Sequence, residues 1–110
     1  TSMSETPTEI APDGSIVHLL ARTSRASVIH CSLPARGVSR TVRHRSVDEI
    51  WYCLRGSGRL WRSTASGLQT EDALVAGTVL TIAAATCFQF RNDGAEPLEI
   101  LITTIPPWPG

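Results

Sequence analysis

Residues 44–58 read His44-Arg45-Ser46-Val47-Asp48-Glu49-Ile50-Trp51-Tyr52-Cys53-Leu54-Arg55-Gly56-Ser57-Gly58. Four residues separate the imidazole of His44 from the carboxylate of Glu49. An apolar segment follows, and two glycines end it. In an extended chain successive side chains alternate between faces, so Glu49, Trp51 and Cys53 share one side and Ile50, Tyr52 and Leu54 the other. The stretch therefore reads as a strand with a polar pair at its head and a Gly-Ser-Gly turn at its foot.

The rest of the chain repeats this grammar. Short β-branched runs at 16–20, 26–33, 41–44, 49–55, 58–63, 71–75, 79–82, 88–91 and 98–105 are bounded by Gly, Pro, Asn or Asp. Gly56-Ser57-Gly58 is expected to close a hairpin whose return arm is 58–63. Asn92-Asp93-Gly94 is expected to close another, between the last two runs. No segment keeps a helical period for more than a turn. Short strands with regular turns and no helices argue an all-β, antiparallel sandwich or barrel.

The length, 110 residues, fits one domain with a continuous core, assigned here to residues 14–110. Residues 1–13 are expected to form a flexible N-terminal segment, with Thr1-Ser2 before Met3 reading as an expression scar. Ten arginines balance ten carboxylates, with no lysine and no basic run longer than two residues, so a nucleic-acid partner finds no electrostatic footprint. No stretch has the roughly 18 apolar residues of a membrane span, so no membrane association is expected. The first residues lack a secretory signal pattern. Cys31, Cys53 and Cys87 are odd in number, far apart and set in apolar runs. They read as buried thiols, neither a disulfide framework nor a zinc ribbon, and the expected location is cytoplasmic.

Residues 43–58 resemble the first motif of the cupin superfamily, G-x5-H-x-H-x(3,4)-E-x6-G. Gly37 lies near its opening, Glu49 holds the acid position, and Gly56 follows after six residues. Residues 77–92 resemble the second motif, G-x5-P-x-G-x2-H-x3-N, with Gly77 and Asn92 at its two ends. The resemblance implies a jelly-roll barrel, the double-stranded β-helix, with a pocket at one end. In most cupins three histidines and a glutamate hold a transition metal there. Carried over by position, those four ligands become Val42, His44, Glu49 and Phe88, and the Pro and Gly of the second motif become Ala83 and Ala85.

Only His44 and Glu49 of that set can ligate a metal, whereas a tight transition-metal site usually needs three or four protein ligands. The expectation is a degenerate centre with no cofactor, or with a weakly bound divalent metal completed by an irregular ligand. His30 on an earlier strand is the first candidate and Cys53 a softer one.

Without metal, strand parity builds a pocket of Val42, Trp51, Cys53, Phe88 and Phe90 around His44 and Glu49, with Arg45 at its rim to meet an anionic substrate. Apolar walls and a few placed polar groups are the usual make-up of a small-molecule site. A His–Glu pair there would serve as general base and acid in an isomerisation, epimerisation or cyclisation. Three alternatives stand beside it. They are a metal-dependent dioxygenase or isomerase, a non-catalytic sugar- or metabolite-sensing domain, and a pair that merely satisfies itself in a filled core. Trp108, held among Pro106, Pro107 and Pro109, reads as an anchor over a barrel end or on a second subunit. Cupins of this size commonly pair through their sheets, so a homodimer is expected.

Overall fold

The structure is a computed structural model that describes residues 8–10 and 14–108; of 8–10 only the backbone is described. Its strands are β1 (Thr8–Ile10), β2 (Ile16–Arg22), β3 (Ser27–Leu33), β4 (Val42–Arg43), β5 (Asp48–Arg55), β6 (Ser57–Ser63), β7 (Gln69–Val75), β8 (Val79–Ile82), β9 (Cys87–Asn92) and β10 (Leu98–Ile105). Among the described residues there is no helix. Within the stretch expected to be flexible, Thr8–Ile10 pairs with β2; the rest of residues 1–13 lies outside the described residues.

The strands form two antiparallel sheets, a six-stranded one in the order β1-β2-β3-β10-β5-β8 and a four-stranded one in the order β4-β9-β6-β7. Alternation along β5 and β10 sends Glu49, Trp51, Cys53, Leu98, Ile100 and Ile102 between the sheets. They meet Leu60 and Phe90 of the four-stranded sheet and Ile29, Cys31 and Leu33 of β3. Each large apolar side chain buried this way contributes roughly 1.5–3 kcal/mol. The arrangement is a jelly-roll sandwich.

Two expectations about pairing are corrected. Neither Gly56-Ser57-Gly58 nor Asn92-Asp93-Gly94 closes a hairpin. β5 and β6 lie in different sheets, as do β9 and β10, so both turns carry the chain across the sandwich. The crossings run side by side, with the Asp93 N–H donating to the Ser57 carbonyl at 2.8 Å.

Sterics explain the two glycines. Gly56 has φ +104°, and a Cβ there would lie 2.8 Å from Leu98 Cα. A Cβ on Gly58 would lie 2.0 Å from the carbonyl oxygen of Arg91. The buried Asn92 side chain pins the other crossing. Its Nδ2 donates to the carbonyls of Leu33 (3.0 Å) and Glu96 (2.7 Å), and its Oδ1 accepts from Gly94 N–H at 2.8 Å. The consecutive strands that do pair are β1 with β2, β2 with β3 and β6 with β7.

Candidate functional site

The site lies at one end of the sandwich, where both sheets and the C-terminal segment converge. Val42 on β4 pairs with Phe88 on β9, which places both on the inner face of the four-stranded sheet. The chain then leaves β4, and His44 begins the loop to β5. The turn after β8 fixes that loop. Ala85 N–H donates to the His44 carbonyl at 2.8 Å, and Ala84 N–H donates to Asp48 Oδ1 at 2.7 Å. Ala85 has φ +66°, the left-handed conformation that the glycine of the resembled motif would adopt without strain.

From the opposite sheet, Glu49 opens β5 and Trp51 follows on the same face. Glu49 is 3% exposed. Its Oε1 accepts the Trp51 indole N–H at 2.7 Å, and its Oε2 lies 3.2 Å from His44 Nε2. Both carboxylate oxygens therefore have partners, as a buried charged group requires. The His44 ring is tilted against Phe88 at 5.8 Å between centroids and edge-on to Trp108 at 5.7 Å. Val17, Ile29, Cys31, Ile102 and Ser15 complete a narrow pocket that opens to solvent and whose enclosed space, about 20 Å³, is the size of a single water.

The structure thus brings Val42, His44, Glu49, Trp51 and Phe88 around one cavity. Three expected members lie elsewhere. Phe90 is buried beneath Trp51, their rings edge-to-face at 5.0 Å, and belongs to the core. Cys53 faces inward from β5, but two residues farther along it, away from the cavity. Burial pushes its thiol pKa up, and a contact to the Arg55 carbonyl only partly opposes this. Arg45 is exposed on the loop and does not line the cavity.

His30 is corrected as a candidate metal ligand. Ile29 and Cys31 take the inward positions of β3, so the His30 side chain leaves by the outer face. There its Nε2 meets Glu99 Oε1 at 2.9 Å.

The donor set does not fit a transition-metal centre. Val42 and Phe88 occupy the positions of two expected ligands, and both oxygens of Glu49 are already engaged. Among the described residues no three His, Cys, Asp or Glu side chains come together in a group that could hold a metal.

Sequence reasoning offered Trp108 only as an anchor over a barrel end or a second subunit, and missed as walls Val17, Ile29 and Ile102. Strand parity held a signal for the last three. Ile102 faces both Trp51 and Ile29 in register, so it had to share their side. Trp108 follows the last strand, and only the path of the tail places it.

Neither a protein-family model nor a curated protein matches the sequence. Solved structures do. The cupin domain of Cnp3 from Schizosaccharomyces pombe superposes with a TM-score of 0.78 at 11% identity, covering 96% of this chain and 72% of that one. A predicted oxalate decarboxylase from Thermotoga maritima gives 0.76 at 19% identity, with 96% of both chains covered. A variant of oxalate decarboxylase from Bacillus subtilis gives 0.82 at 14% identity, over 96% of this chain but 29% of that enzyme. At these identities the likeness speaks for architecture alone, and the architecture agrees with the two motifs read from the sequence: this chain has the cupin fold.

Proposed function

We propose that this protein binds a small molecule in the pocket between its sheets and moves a proton on it with the His44–Glu49 pair, as an isomerase, epimerase or cyclase would. The observation that carries this reading is the 3.2 Å contact between His44 Nε2 and Glu49 Oε2 at the wall of an otherwise apolar cavity. Glu49 is held from its other oxygen by Trp51, so the carboxylate cannot swing away from the imidazole. A proton taken from a bound molecule by one member passes to the other without leaving the pocket. The carboxylate balances the charge that forms on the ring, in a site whose walls strengthen the attraction by excluding water. No step requires a metal, and the residues present do not favour the metal-dependent alternative.

Deuterium incorporation tests this. In D2O, with a panel of small carbonyl compounds, catalysed exchange at a carbon next to the carbonyl is expected, and H44A and E49Q should each abolish it. A compound that binds with no exchange above background would make the domain a binding or sensing module. Exchange that survives in both variants would remove the pair from the chemistry.

A further inference from the structure

We infer that the indole N–H of Trp108 is the hydrogen-bond donor to the bound molecule, and that this molecule is small, uncharged and apolar except for one acceptor oxygen of the carbonyl type. The inference rests on the pocket proposed above and names what that pocket selects.

Trp108 is 8% exposed, yet its Nε1 is a buried donor with no hydrogen-bond partner among the described residues. A buried N–H without an acceptor costs about 1–3 kcal/mol, so such groups are rare unless something else supplies the acceptor. The ring is held where it is by other contacts. The Trp108 backbone N–H donates to Ser27 Oγ at 2.8 Å, and Ser27 Oγ in turn lies 2.5 Å from Thr104 Oγ1, both side chains being buried. The edge-on contact with His44 sets the indole beside the imidazole rather than across the cavity from it. Trp108 lines the same cavity as His44 and Glu49, so an acceptor oxygen that reaches its Nε1 from that cavity lies near the pair.

Among the described residues no protein acceptor lies within hydrogen-bond distance of this N–H. The other walls set the rest of the specificity. Among the described residues no arginine lines the pocket, so carboxylates and phosphates lack the cationic partner that would favour them. Among the described residues Ser15, His44 and Glu49 are the other side chains with N or O atoms around the cavity, so a polyol would leave hydroxyls unpaired. A single acceptor oxygen, aimed at Trp108 and polarised by its N–H, is what these walls admit. Such an oxygen is also what makes a neighbouring carbon acidic enough for the pair to deprotonate.

Matched probes test this on the full chain: acetophenone, ethylbenzene and benzoate. The Trp108 indole and His44 ring resonances are followed by NMR and assigned through their contact with each other. Acetophenone is expected to bind on the order of tenfold more tightly than ethylbenzene and to move the indole N–H resonance downfield, while benzoate binds most weakly. W108F should keep the ring and erase the preference for the ketone. If that variant does not fold, the wild-type response to the two neutral probes still decides.

Binding that shifts His44 but leaves the Trp108 N–H unchanged overturns the donor role and keeps the pocket. An indole shift that is the same for ethylbenzene assigns the N–H to a water and overturns the inference equally. Benzoate binding more tightly than acetophenone overturns the ligand class. No response at either residue to any probe overturns the pocket reading itself.

Discussion

A carboxylate with 3% exposure stands or falls by its partners, and among the described residues Glu49 has a tryptophan N–H and an imidazole. W51F deletes a hydrogen bond to a charged group and some apolar volume. It should cost about 2–4 kcal/mol, read as a lower urea midpoint. E49Q should cost less, because the amide oxygen still accepts from Trp51. Equal losses in the two would show that the Trp51 contact does not anchor the carboxylate.

Ala85 offers the opposite sign. At φ +66° an alanine pays roughly 1 kcal/mol that a glycine does not. A85G should therefore raise the melting temperature by a few degrees, on the order of 3–6 °C for a domain of this size. A lower melting temperature would show that the greater unfolded-state freedom of glycine outweighs the relief. Much of this detail was legible in the sequence, because strand parity fixes which side chains share a face and so grouped Glu49 with Trp51 and Val42 with His44. The same rule, applied to β3, would have sent His30 outward. What parity cannot show is depth, and depth separates Phe88, at the cavity, from Phe90 beneath Trp51.

Elements were easier to find than to pair. Val79–Ile82 and Leu98–Ile105 match the ranges expected from β-branched runs, the other strands from β2 onward differ by one or two residues at an end, and β1 was not expected. Partners were misread at two turns, because Gly-Ser-Gly and Asn-Asp-Gly supply the same backbone freedom whether the chain folds back within a sheet or crosses to the other. The difference lies in what the turn touches. G58A drives a methyl into the Arg91 carbonyl of the neighbouring strand and should cost at least about 3 kcal/mol or prevent folding. G67A, in the open loop between β6 and β7, has no atom within 4 Å of its new methyl. It should lose only the roughly 1 kcal/mol of a positive φ. Chemical denaturation of the pair separates close approach from backbone strain. Similar losses would mean that β6 shifts to make room and that the close approach to Arg91 does not require glycine at position 58.

At the scale of the whole molecule, the outer face of the six-stranded sheet joins ionic and apolar chemistry. Burial alone would push the Glu99 carboxyl up, but hydrogen bonds from Arg55 and His30 outweigh it and hold the pKa below the usual carboxylate range. A carboxyl depressed in the folded state stabilises fully above its unfolded pKa and loses that contribution as pH falls through the folded value. Stability should therefore decline on acidification below the ordinary glutamate range, with a shallower decline in E99Q. An unchanged slope in that variant would place the acid sensitivity elsewhere.

Beside this cluster Ile50, Tyr52, Leu54 and Val79 are 41%, 45%, 42% and 56% exposed. Tyr52 pairs with both Leu101 and Val79, so the row runs across three neighbouring strands. Contiguous apolar surface of this kind is costly to leave in water and marks an interaction face. We propose a second copy as the partner: a two-fold axis through the face would lay the same apolar row against itself and let one surface satisfy both chains. Sedimentation velocity should show a dimer, and a Y52D/V79D double variant should sediment as a folded monomer, since two buried carboxylates per chain would face their counterparts without a cation. A monomeric wild type at tens of micromolar would overturn the pairing, and the exposed row would then need a different partner.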